Sequence, residues 1–536
     1  MATGQRSVFL RTTSGLVREF SVLDLLLMAT LAIFGIQNTL LQFPWFYGYN
    51  PGANLPLALA IGLIPFLLLN LVYWAEGVIM PRAGSDYVWM ARTTHPSIGF
   101  AWSCVYLFGF VGCALIVIIS SLAYAISTSL ATWALLYNVP SLYDVGTTLA
   151  SPIGAFIFGT VLLSIYTVIC ILGSKAAKVL LYSGWIFGSI AIITMWFILG
   201  STNPTAFAAK WDMFLSKQVT YQGLFDVAKS AGWMVTPFSM AATVGSLPIA
   251  LLFLFGANWT NLIIGEVRNV RRAVPVALMF SLLLGFTIWV ISAQTTLMAV
   301  GENWMSAIGF LWDNAPAAYG SVMSYPPSQI LFLGLVAYPN QLLVALMIFT
   351  FIAGNIAYPF IFLLFPTRYF FAWSFDRVIP TKLANVNQRF RTPHFAIIVT
   401  AILGVIELGI YYFTSYTTAF AIGTFAEIAC WVVISLTMVL FLRTKPDILE
   451  TAPTFMRKRF AGVPTIGYIG VASAIAFAYV SYLFLANPLL FGIGTLGLEL
   501  MAVVAIFGFV LYYASLYYHK RRGIDMDLAF KEIPPV

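Results

Sequence analysis

The stretches that decide the fold are Phe34-Gly35-Ile36-Gln37, inside the first hydrophobic segment, and Phe255-Gly256-Ala257-Asn258, inside the sixth, 221 positions later. A glycine followed by an amide side chain loosens a membrane helix where lipid offers the backbone no hydrogen-bond partner, so the break must face protein or a water-filled cavity. Paired breaks at corresponding positions of two halves are typical of inverted-repeat transporters, whose unwound segments hold a solute. The two breaks therefore predict a solute site near the midplane of a membrane.

The composition is that of a protein that crosses the membrane many times. Of the 536 residues, 61% are hydrophobic and 9% are charged, whereas soluble domains contain about 25% charged residues. An apolar run of about 20 residues can span a bilayer. Twelve such runs lie near residues 21–46, 55–79, 98–133, 151–172, 178–200, 243–264, 274–299, 330–365, 394–414, 417–442, 464–486 and 492–518. We therefore predict an all-α polytopic protein with 12 transmembrane helices.

The positive charges predict the orientation of these spans. If the amino terminus is cytoplasmic, 24 of the 27 lysine and arginine residues lie on the inner side, and only Lys210, Lys217 and Lys229 lie outside. This asymmetry agrees with the positive-inside rule. We expect a multi-pass protein of the plasma membrane with both termini in the cytoplasm. The net charge of +8 then reflects the anionic inner leaflet, and no nucleic-acid partner is expected.

Spans 1 to 5 and 6 to 10 form two predicted units, each of which opens with a broken helix. Because each unit has an odd number of spans, the second is inserted upside down relative to the first. The predicted order is a cytoplasmic tail (1–20), the first repeat (21–200), an extracellular loop (201–241), the second repeat (242–443), helices 11 and 12 (464–518) and a cytoplasmic tail (519–536). The loops 201–241 and 300–329 could form amphipathic caps over an outer vestibule, or ordinary surface loops.

Several short motifs follow one another along the chain. Between spans 2 and 3 are Tyr73-Trp74-Ala75-Glu76, Pro81-Arg82-Ala83-Gly84-Ser85-Asp86-Tyr87 and Ile98-Gly99-Phe100-Ala101-Trp102. After the sixth span come Glu266-Val267-Arg268-Asn269, Arg272 and Pro275, and after the eighth come Thr367-Arg368-Tyr369, Asp376-Arg377-Val378-Ile379-Pro380 and Arg391-Thr392-Pro393-His394. In this order they resemble the amino acid permeases of the amino acid-polyamine-organocation (APC) superfamily.

The resemblance implies a five-plus-five inverted-repeat fold with discontinuous helices 1 and 6, and transport of an amino acid or amine by alternating access. In that family, free backbone groups of the two broken helices hold the carboxylate and the amino group of the substrate. Carried over to this sequence, the substrate-binding residues are Phe34, Gly35, Ile36, Gln37, Phe253, Phe255, Gly256, Ala257 and Asn258.

The chain departs from the family pattern at both breaks. The first keeps only Gly35 of the usual Gly-small-Gly, which leaves the contact register in helix 1 open. Asn258 stands where many members carry an acid, and an amide suits a neutral zwitterion better than a polyamine. Phe34, Phe253 and Phe255 indicate room for an apolar side chain, although a phenylalanine in a membrane helix more often faces lipid or core. We predict a carrier of a neutral amino acid, with a polyamine or organic-cation permease as the alternative.

Charged residues at the inner helix ends are candidates for a cytoplasmic gate. They are Arg82, Asp86, Glu266, Arg268, Arg272, Arg368 and Asp376. The expected pairs are Glu266 with the arginines at 268, 271 and 272, Asp86 with Arg82, and Asp376 with Arg368 or Arg377. Partly buried pairs hold one conformation and must separate when a gate opens. Anchoring of each charge at the lipid headgroups is the alternative.

The coupling ion is predicted from the charges inside the spans. No lysine lies between Lys178 and Lys210, so the helix-5 lysine that some family members protonate is absent. Thr350 is the only serine or threonine from 342 to 365, which argues against a sodium site of the related type. A carboxyl in a membrane span is costly and by default indicates function. Glu427 is the proton-coupling candidate, with a structural carboxyl as the alternative, whereas Glu407 and Glu499 are expected to be structural or interfacial.

Other classes of function are less well supported by the sequence. The histidines His95, His394 and His519 lie at predicted inner edges, and no catalytic or metal-binding motif is present, so an enzyme, a metal site and a cofactor are not expected. Cysteine spacing indicates neither disulfides nor metal. A channel or a non-transporting solute sensor of the same fold stays open, as does a homo-oligomer. The expected partners are a small-molecule substrate and the lipid bilayer.

Overall fold

Helices make up most of the part of the chain that the computed structural model describes, which is residues 14–33, 43–109, 114–323, 330–414, 419–487 and 495–534. The first half contains α1 (Val22–Ile33), α2 (Phe43–Tyr49), α3 (Leu55–Ile79), α4 (Ser85–Thr93), α5 (Pro96–Gly109), α6 (Ile116–Tyr137), α7 (Pro140–Ala150), α8 (Pro152–Leu172), α9 (Ser174–Gly200), α10 (Pro204–Leu215), α11 (Tyr221–Ser230), α12 (Met240–Gly245) and α13 (Leu247–Leu252).

The second half begins with a 3₁₀ helix, Ala257–Glu266. It continues with α14 (Val270–Pro275), a π-helical turn (Val276–Phe280), α15 (Ser281–Val300), α16 (Glu302–Asn314), α17 (Pro316–Val322), α18 (Ile330–Ala337), α19 (Gln341–Asn355), α20 (Ala357–Leu364), α21 (Thr367–Phe375) and a 3₁₀ turn (Thr381–Ala384). The remaining elements are α22 (His394–Phe413), α23 (Ala419–Thr444), a 3₁₀ turn (Ile448–Thr451), α24 (Thr454–Arg457), the antiparallel strands β1 (Arg459–Phe460) and β2 (Val463–Pro464), α25 (Thr465–Ala486), α26 (Thr495–Arg521) and α27 (Asp527–Lys531).

Local sequence signals set where the long helices begin. Asn54 caps α3, since its side chain accepts a hydrogen bond from the Leu57 amide at 2.9 Å, and Ser151 caps α8 in the same way. Both helices also carry proline in the first turn, where its missing N–H costs nothing. Each cap satisfies an amide that the helix leaves unpaired.

The described residues contain 11 helices that are long and apolar enough to cross a membrane. The predicted first span, 21–46, holds the 12-residue α1 and the separate α2, and residues 34–42 between them lie outside the described part. The predicted eighth span was wrong at its start. Residues 330–337 form the separate helix α18, and the span itself runs from Gln341 to Phe375, because the Asn340 side chain caps a new helix there.

The chain order of these spans places the two ends of the described chain on one face. We call it the N-terminal face, formed by residues 14–21, 80–95, 267–269, 376–393, 444–464 and 522–534. The stretch before α1 runs along it, since the Phe20 amide donates to the Glu266 carbonyl at 3.0 Å. The carboxyl-terminal α27 lies beneath α4, where the Phe530 ring contacts the Arg92 guanidinium.

Helices cover the opposite face. The sequence had left two alternatives for the segments 201–241 and 300–329, amphipathic caps or ordinary surface loops. Helices α10, α11, α16 and α17 form from the predicted loops, and the Trp211 and Trp304 side chains are fully buried between them. Tyr221 stacks on Trp304 with ring centroids 5.5 Å apart. The Asn314 side chain donates to the Gly48 carbonyl at 2.9 Å, so α16 is fastened directly to α2.

Candidate solute-binding site and gate

The sixth membrane segment breaks where the sequence predicted. Helix α13 ends at Leu252, and the chain resumes as a 3₁₀ helix at Ala257. Between them Gly256 has φ +122°, a conformation that side chains with a Cβ rarely adopt. The glycine is therefore required for the break.

The end of α1 meets this break. A Cβ placed on Gly256 would lie 2.6 Å from the Ala32 Cβ and 2.8 Å from the Ala32 carbonyl oxygen, so only glycine allows this approach. The next carbonyl, that of Ile33, accepts a hydrogen bond from the Trp289 indole at 3.2 Å. The predicted binding residues Phe34, Gly35, Ile36 and Gln37 follow directly and lie outside the described residues. We call the meeting point of Ala32, Ile33 and residues 253–258 the junction.

Asn258 supplies an unsatisfied polar atom at the junction. Its side chain is buried, its Nδ2 atom lies 3.5 Å from the Tyr106 hydroxyl, and its Oδ1 atom has no hydrogen-bond partner among the described residues. The Tyr106 hydroxyl also accepts a hydrogen bond from the Trp431 indole at 3.3 Å. An unpaired buried acceptor is costly, and a donor from a bound solute would remove that cost.

Aromatic side chains wall the junction. The Phe255 ring packs on Trp431 and Phe66, with centroids 4.6 and 5.5 Å apart. The Phe253 ring packs on Phe43 and Trp289, at 6.1 and 5.4 Å. Of the two settings left open for these phenylalanines, lipid or core, the structure shows core.

A cavity lies beside the junction, between α9, α15, α19 and α20. Its lining includes Leu31 of α1, Trp289 and Ser292 of α15, and Asn355 and Tyr358 from the α19–α20 region. We call it the lateral cavity. Because Trp289 also holds the Ile33 carbonyl, the lateral cavity and the junction share one wall.

Glu427 of α23 lies close to the junction. It is buried, and its Oε2 atom accepts a hydrogen bond from the indole of Trp259, the residue after Asn258, at 3.2 Å. Of the other two carboxyls that the sequence placed well inside the spans, Glu407 is partly buried with one oxygen unpaired among the described residues, and Glu499 is exposed. Of these three carboxyls, Glu427 is the one that contacts the broken helix.

Comparison with known proteins agrees with this geometry. The family profile described as "Amino acid permease" matches residues 20–511. The chain belongs to the amino acid permease family. This permease is therefore an all-α polytopic membrane protein of the APC type. No curated protein matches the chain.

Two buried ion pairs close the N-terminal face of this permease. Glu266, the last residue of the 3₁₀ helix, binds Arg368 of α21 through two hydrogen bonds of 2.8 Å. Asp376 binds Arg92 of α4 through two hydrogen bonds of 2.6 Å. All four side chains are at least nine-tenths buried. These bonds tie the 3₁₀ helix of the sixth span and α4 to the end of the eighth span, which is formed by α21 and Asp376.

None of the expected pairs of gate charges forms among the described residues. Asp376 pairs with Arg92, and neither with Arg368 nor with Arg377. Asp86 accepts hydrogen bonds from Tyr73 and Tyr369, whereas the Arg82 side chain reaches backbone carbonyls of Pro81 and Pro534.

The arginines that follow Glu266 in sequence do not pair with it. Arg268 is exposed and donates to the Arg18 carbonyl at 2.8 Å, and Arg272 is exposed as well. Neither arginine pairs with Glu266 because Arg368 already binds both of its carboxylate oxygens.

Two charged groups of this face were missed in the sequence. Arg92 lies outside the quoted motifs, and its partner is 284 residues away. Asp24 in the first turn of α1 pairs with Lys178 of α9 at 2.9 Å and accepts from the Tyr182 hydroxyl at 3.0 Å. An acid at a helix start is favoured by the helix dipole, which was the available signal for Asp24; no local signal marked Arg92.

Proposed function

We propose that this permease moves a neutral amino acid across the plasma membrane by alternating access, and that the solute binds at the junction. The observation that carries the proposal is the break at Gly256, which lies against the end of α1 beside the unpaired oxygen of Asn258. In the proposed arrangement the N-terminal face is cytoplasmic, and residues 21–200 and 242–443 form the two inverted repeats.

The helix ends at the junction suit a zwitterion. Helix α1 runs inward from the N-terminal face, and Ile33 is its last described residue; the carbonyl end of the proposed break after it attracts an ammonium group. The 3₁₀ helix begins at Ala257, at the junction, and runs from there to the N-terminal face. Its amide end therefore lies at the junction and attracts a carboxylate. The proposed binding residues are those of both breaks, 34–37, 253 and 255–258. One solute with both charges satisfies both ends.

The polar groups favour a neutral amino acid over a polyamine. Asn258 offers an uncharged acceptor, and the aromatic wall formed by Phe253, Phe255, Trp289 and Trp431 surrounds it with apolar surface. A dibasic solute would leave a second charge facing that wall, which is costly without a paired acid. Glu427, however, accepts a hydrogen bond from Trp259 of the broken helix, and this acid keeps the polyamine alternative open to test.

Alternating access requires the closed face to open. The pairs Glu266–Arg368 and Arg92–Asp376 hold the 3₁₀ helix, α4 and α21 together. Opening the N-terminal face separates these elements and exposes the charges to water, where they no longer need each other. We therefore assign both pairs to the cytoplasmic gate.

A thermal-shift panel on the purified protein tests the solute class. A ligand that binds only the folded form raises the apparent stability, so we expect neutral amino acids to raise the melting temperature and polyamines to leave it unchanged. Asn258→Ala should abolish the shift, and Asn355→Ala, which changes the lateral cavity only, should keep it. A shift given by polyamines alone would support the alternative, and no shift with any amino acid or amine would contradict the proposal.

Counterflow in proteoliposomes then separates a carrier from a channel or a sensor. A carrier exchanges external labelled solute for unlabelled internal solute and saturates, a channel does not saturate, and a sensor binds without flux. We also expect Glu427→Gln to flatten the pH dependence of uptake, because it removes the proton acceptor next to the broken helix. Unchanged pH dependence with normal expression would remove Glu427 from the coupling mechanism.

A further inference from the structure

Two carboxyl groups that the gate does not use lie side by side beneath the junction. Glu76 is in the last turn of α3 and Asp86 is in the first turn of α4, and their residues are 1% and 5% exposed. Asp86 Oδ2 accepts from the hydroxyls of Tyr73 and Tyr369 at 3.0 and 3.3 Å. Glu76 Oε1 accepts from the Ser85 hydroxyl at 2.5 Å. Each carboxyl therefore has one satisfied oxygen.

The other oxygens of the pair lack a donor. Glu76 Oε2 and Asp86 Oδ1 are buried and have no hydrogen-bond partner among the described residues, and the two carboxyl groups can hydrogen-bond to each other when one of them is protonated. Two ionised carboxylates in contact repel strongly in a buried site. One proton between them makes one group a donor to the other, which satisfies both and leaves a single charge.

No cation in the described part of the chain neutralises the pair. Neither carboxyl forms an ion pair there with lysine or arginine. Arg368, on the neighbouring α21, donates its hydrogen bonds to Glu266, the Leu364 carbonyl and the Thr367 hydroxyl instead. Two free oxygens are also too few for a hard metal ion, which takes about six or more.

The surroundings of the pair hold few groups that titrate near neutral pH. The titratable and charged groups that face it are Tyr73 on α3, Tyr106 on α5, Glu266 at the end of the 3₁₀ helix, Arg368 and Tyr369 on α21, and Glu427 and Cys430 on α23. Burial raises the pKa of Asp86 to about 7, against the opposing effect of the hydrogen bonds from Tyr73 and Tyr369. Proton exchange is thus available at physiological pH.

The pair lies at the contact that opening must break. The Gly84 amide, two residues before Asp86, donates to the Leu262 carbonyl of the 3₁₀ helix at 3.0 Å. Gly84 has φ +80°, and a Cβ there would lie 2.7 Å from Ala372 of α21. The start of α4 therefore lies between the 3₁₀ helix and α21. Separation of these two helices admits water to Asp86.

We propose that Glu76 and Asp86 share one bound proton while the N-terminal face is closed and release it to water on that side when the face opens. The step breaks one O–H bond at the carboxyl and transfers the proton to water, and reclosure requires a proton that reaches the pair along the solute pathway. The proposal rests on the transport function proposed above and gives it a second proton site on the N-terminal side of Glu427.

Gradient-driven uptake tests the proposal with the full-length protein in proteoliposomes and a labelled mixture of the proteinogenic amino acids. If one proton accompanies each solute, a gradient of about 1 pH unit drives about tenfold accumulation. We expect Asp86→Asn and Glu76→Gln to lose this accumulation and to keep counterflow, which needs no net proton movement. Asp86→Glu should restore accumulation, and Glu407→Gln, which changes a partly buried carboxyl outside the pair, should leave it unchanged.

The outcomes separate this proposal from the proposed function. Counterflow in the wild type with no response to the pH gradient, or with a sodium gradient replacing it, would overturn the proton site and leave amino acid transport intact. Absence of counterflow would overturn the transport function. In that case infrared spectroscopy still decides on the pair: the wild type should show a protonated carboxyl band that titrates near neutral pH and is absent in Asp86→Asn. An unchanged band in that variant would overturn the shared proton.

Discussion

The pair Glu266–Arg368 is expected to control access to a natural reporter, Cys170. This thiol is 1% exposed and lines a small cavity together with Glu266 and Arg368. Replacement of the other three cysteines by alanine leaves Cys170 as the only thiol, and a membrane-impermeant maleimide applied to the protein in nanodiscs then measures how often the N-terminal face opens.

Glu266→Gln is the perturbation. It keeps the shape of the side chain and leaves the Arg368 guanidinium buried without a counter-charge, which costs about 3–5 kcal/mol in the closed state. Water hydrates the arginine in the open state, so this cost shifts the equilibrium toward opening. At 1.4 kcal/mol for each factor of ten, the lower value predicts an increase of about 100-fold in the alkylation rate of Cys170.

Glu450→Gln is the matched control for the Glu266→Gln variant in the alkylation experiment. It breaks the pair Arg457–Glu450 on the same face, whose side chains are 35% and 77% exposed. Exposed pairs contribute less than about 1 kcal/mol, so the rate should change by less than about fivefold. An unchanged rate in Glu266→Gln, or an equal increase in both variants, would refute the assignment of Glu266–Arg368 to the gate.

Three further predictions follow from the same structure. Gly256→Ala should cost about 1–3 kcal/mol in backbone strain alone and lower counterflow at least tenfold, whereas Gly245→Ala, whose Cβ meets open space, should be tolerated; normal counterflow in Gly256→Ala would contradict the close approach. Asp376→Asn should lower the free energy of unfolding by about 3–5 kcal/mol. Asp376→Leu combined with Arg92→Met should recover most of this loss, which a double-mutant cycle measures. A double variant as unstable as the single variant would argue against the pair. Burial raises the pKa of Asp313 on α16 to about 8, so the contribution of this group to stability is present below about pH 4 and is lost as the pH rises to about 8. The melting temperature of Asp313→Asn should therefore fall less over this pH range than that of the wild type. Parallel curves of melting temperature against pH would contradict the raised pKa.

The sequence predicted those features that depend on local chemistry. Gly256 marked the break in helix 6, because no other residue adopts its φ of +122° without strain. The apolar runs predicted most of the long spans within a few residues, although the third and the eighth differ by more, and the motif order predicted the family. Each of these signals lies within a short stretch of the chain, so one sequence is enough to read it.

Features that depend on distant partners could not be predicted. Glu266 and Arg368 were both named for the gate, but their pairing spans 102 residues. Arg92 was missed because nothing in its neighbourhood indicates that Asp376 lies opposite it. Asp86 was given Arg82 as a partner by proximity in sequence, whereas the fold turns it toward Glu76 and two tyrosines. A charge alone does not specify its counter-charge in a helical bundle.

The most direct test of the account is a cryo-electron microscopy map of this permease with a neutral amino acid selected in the thermal-shift panel. We predict density for the solute between the end of α1 at Ile33 and the break at residues 256–258, with its polar groups at Asn258. A helix 6 that runs without interruption through Gly256, or a solute that occupies the lateral cavity alone, would contradict the account.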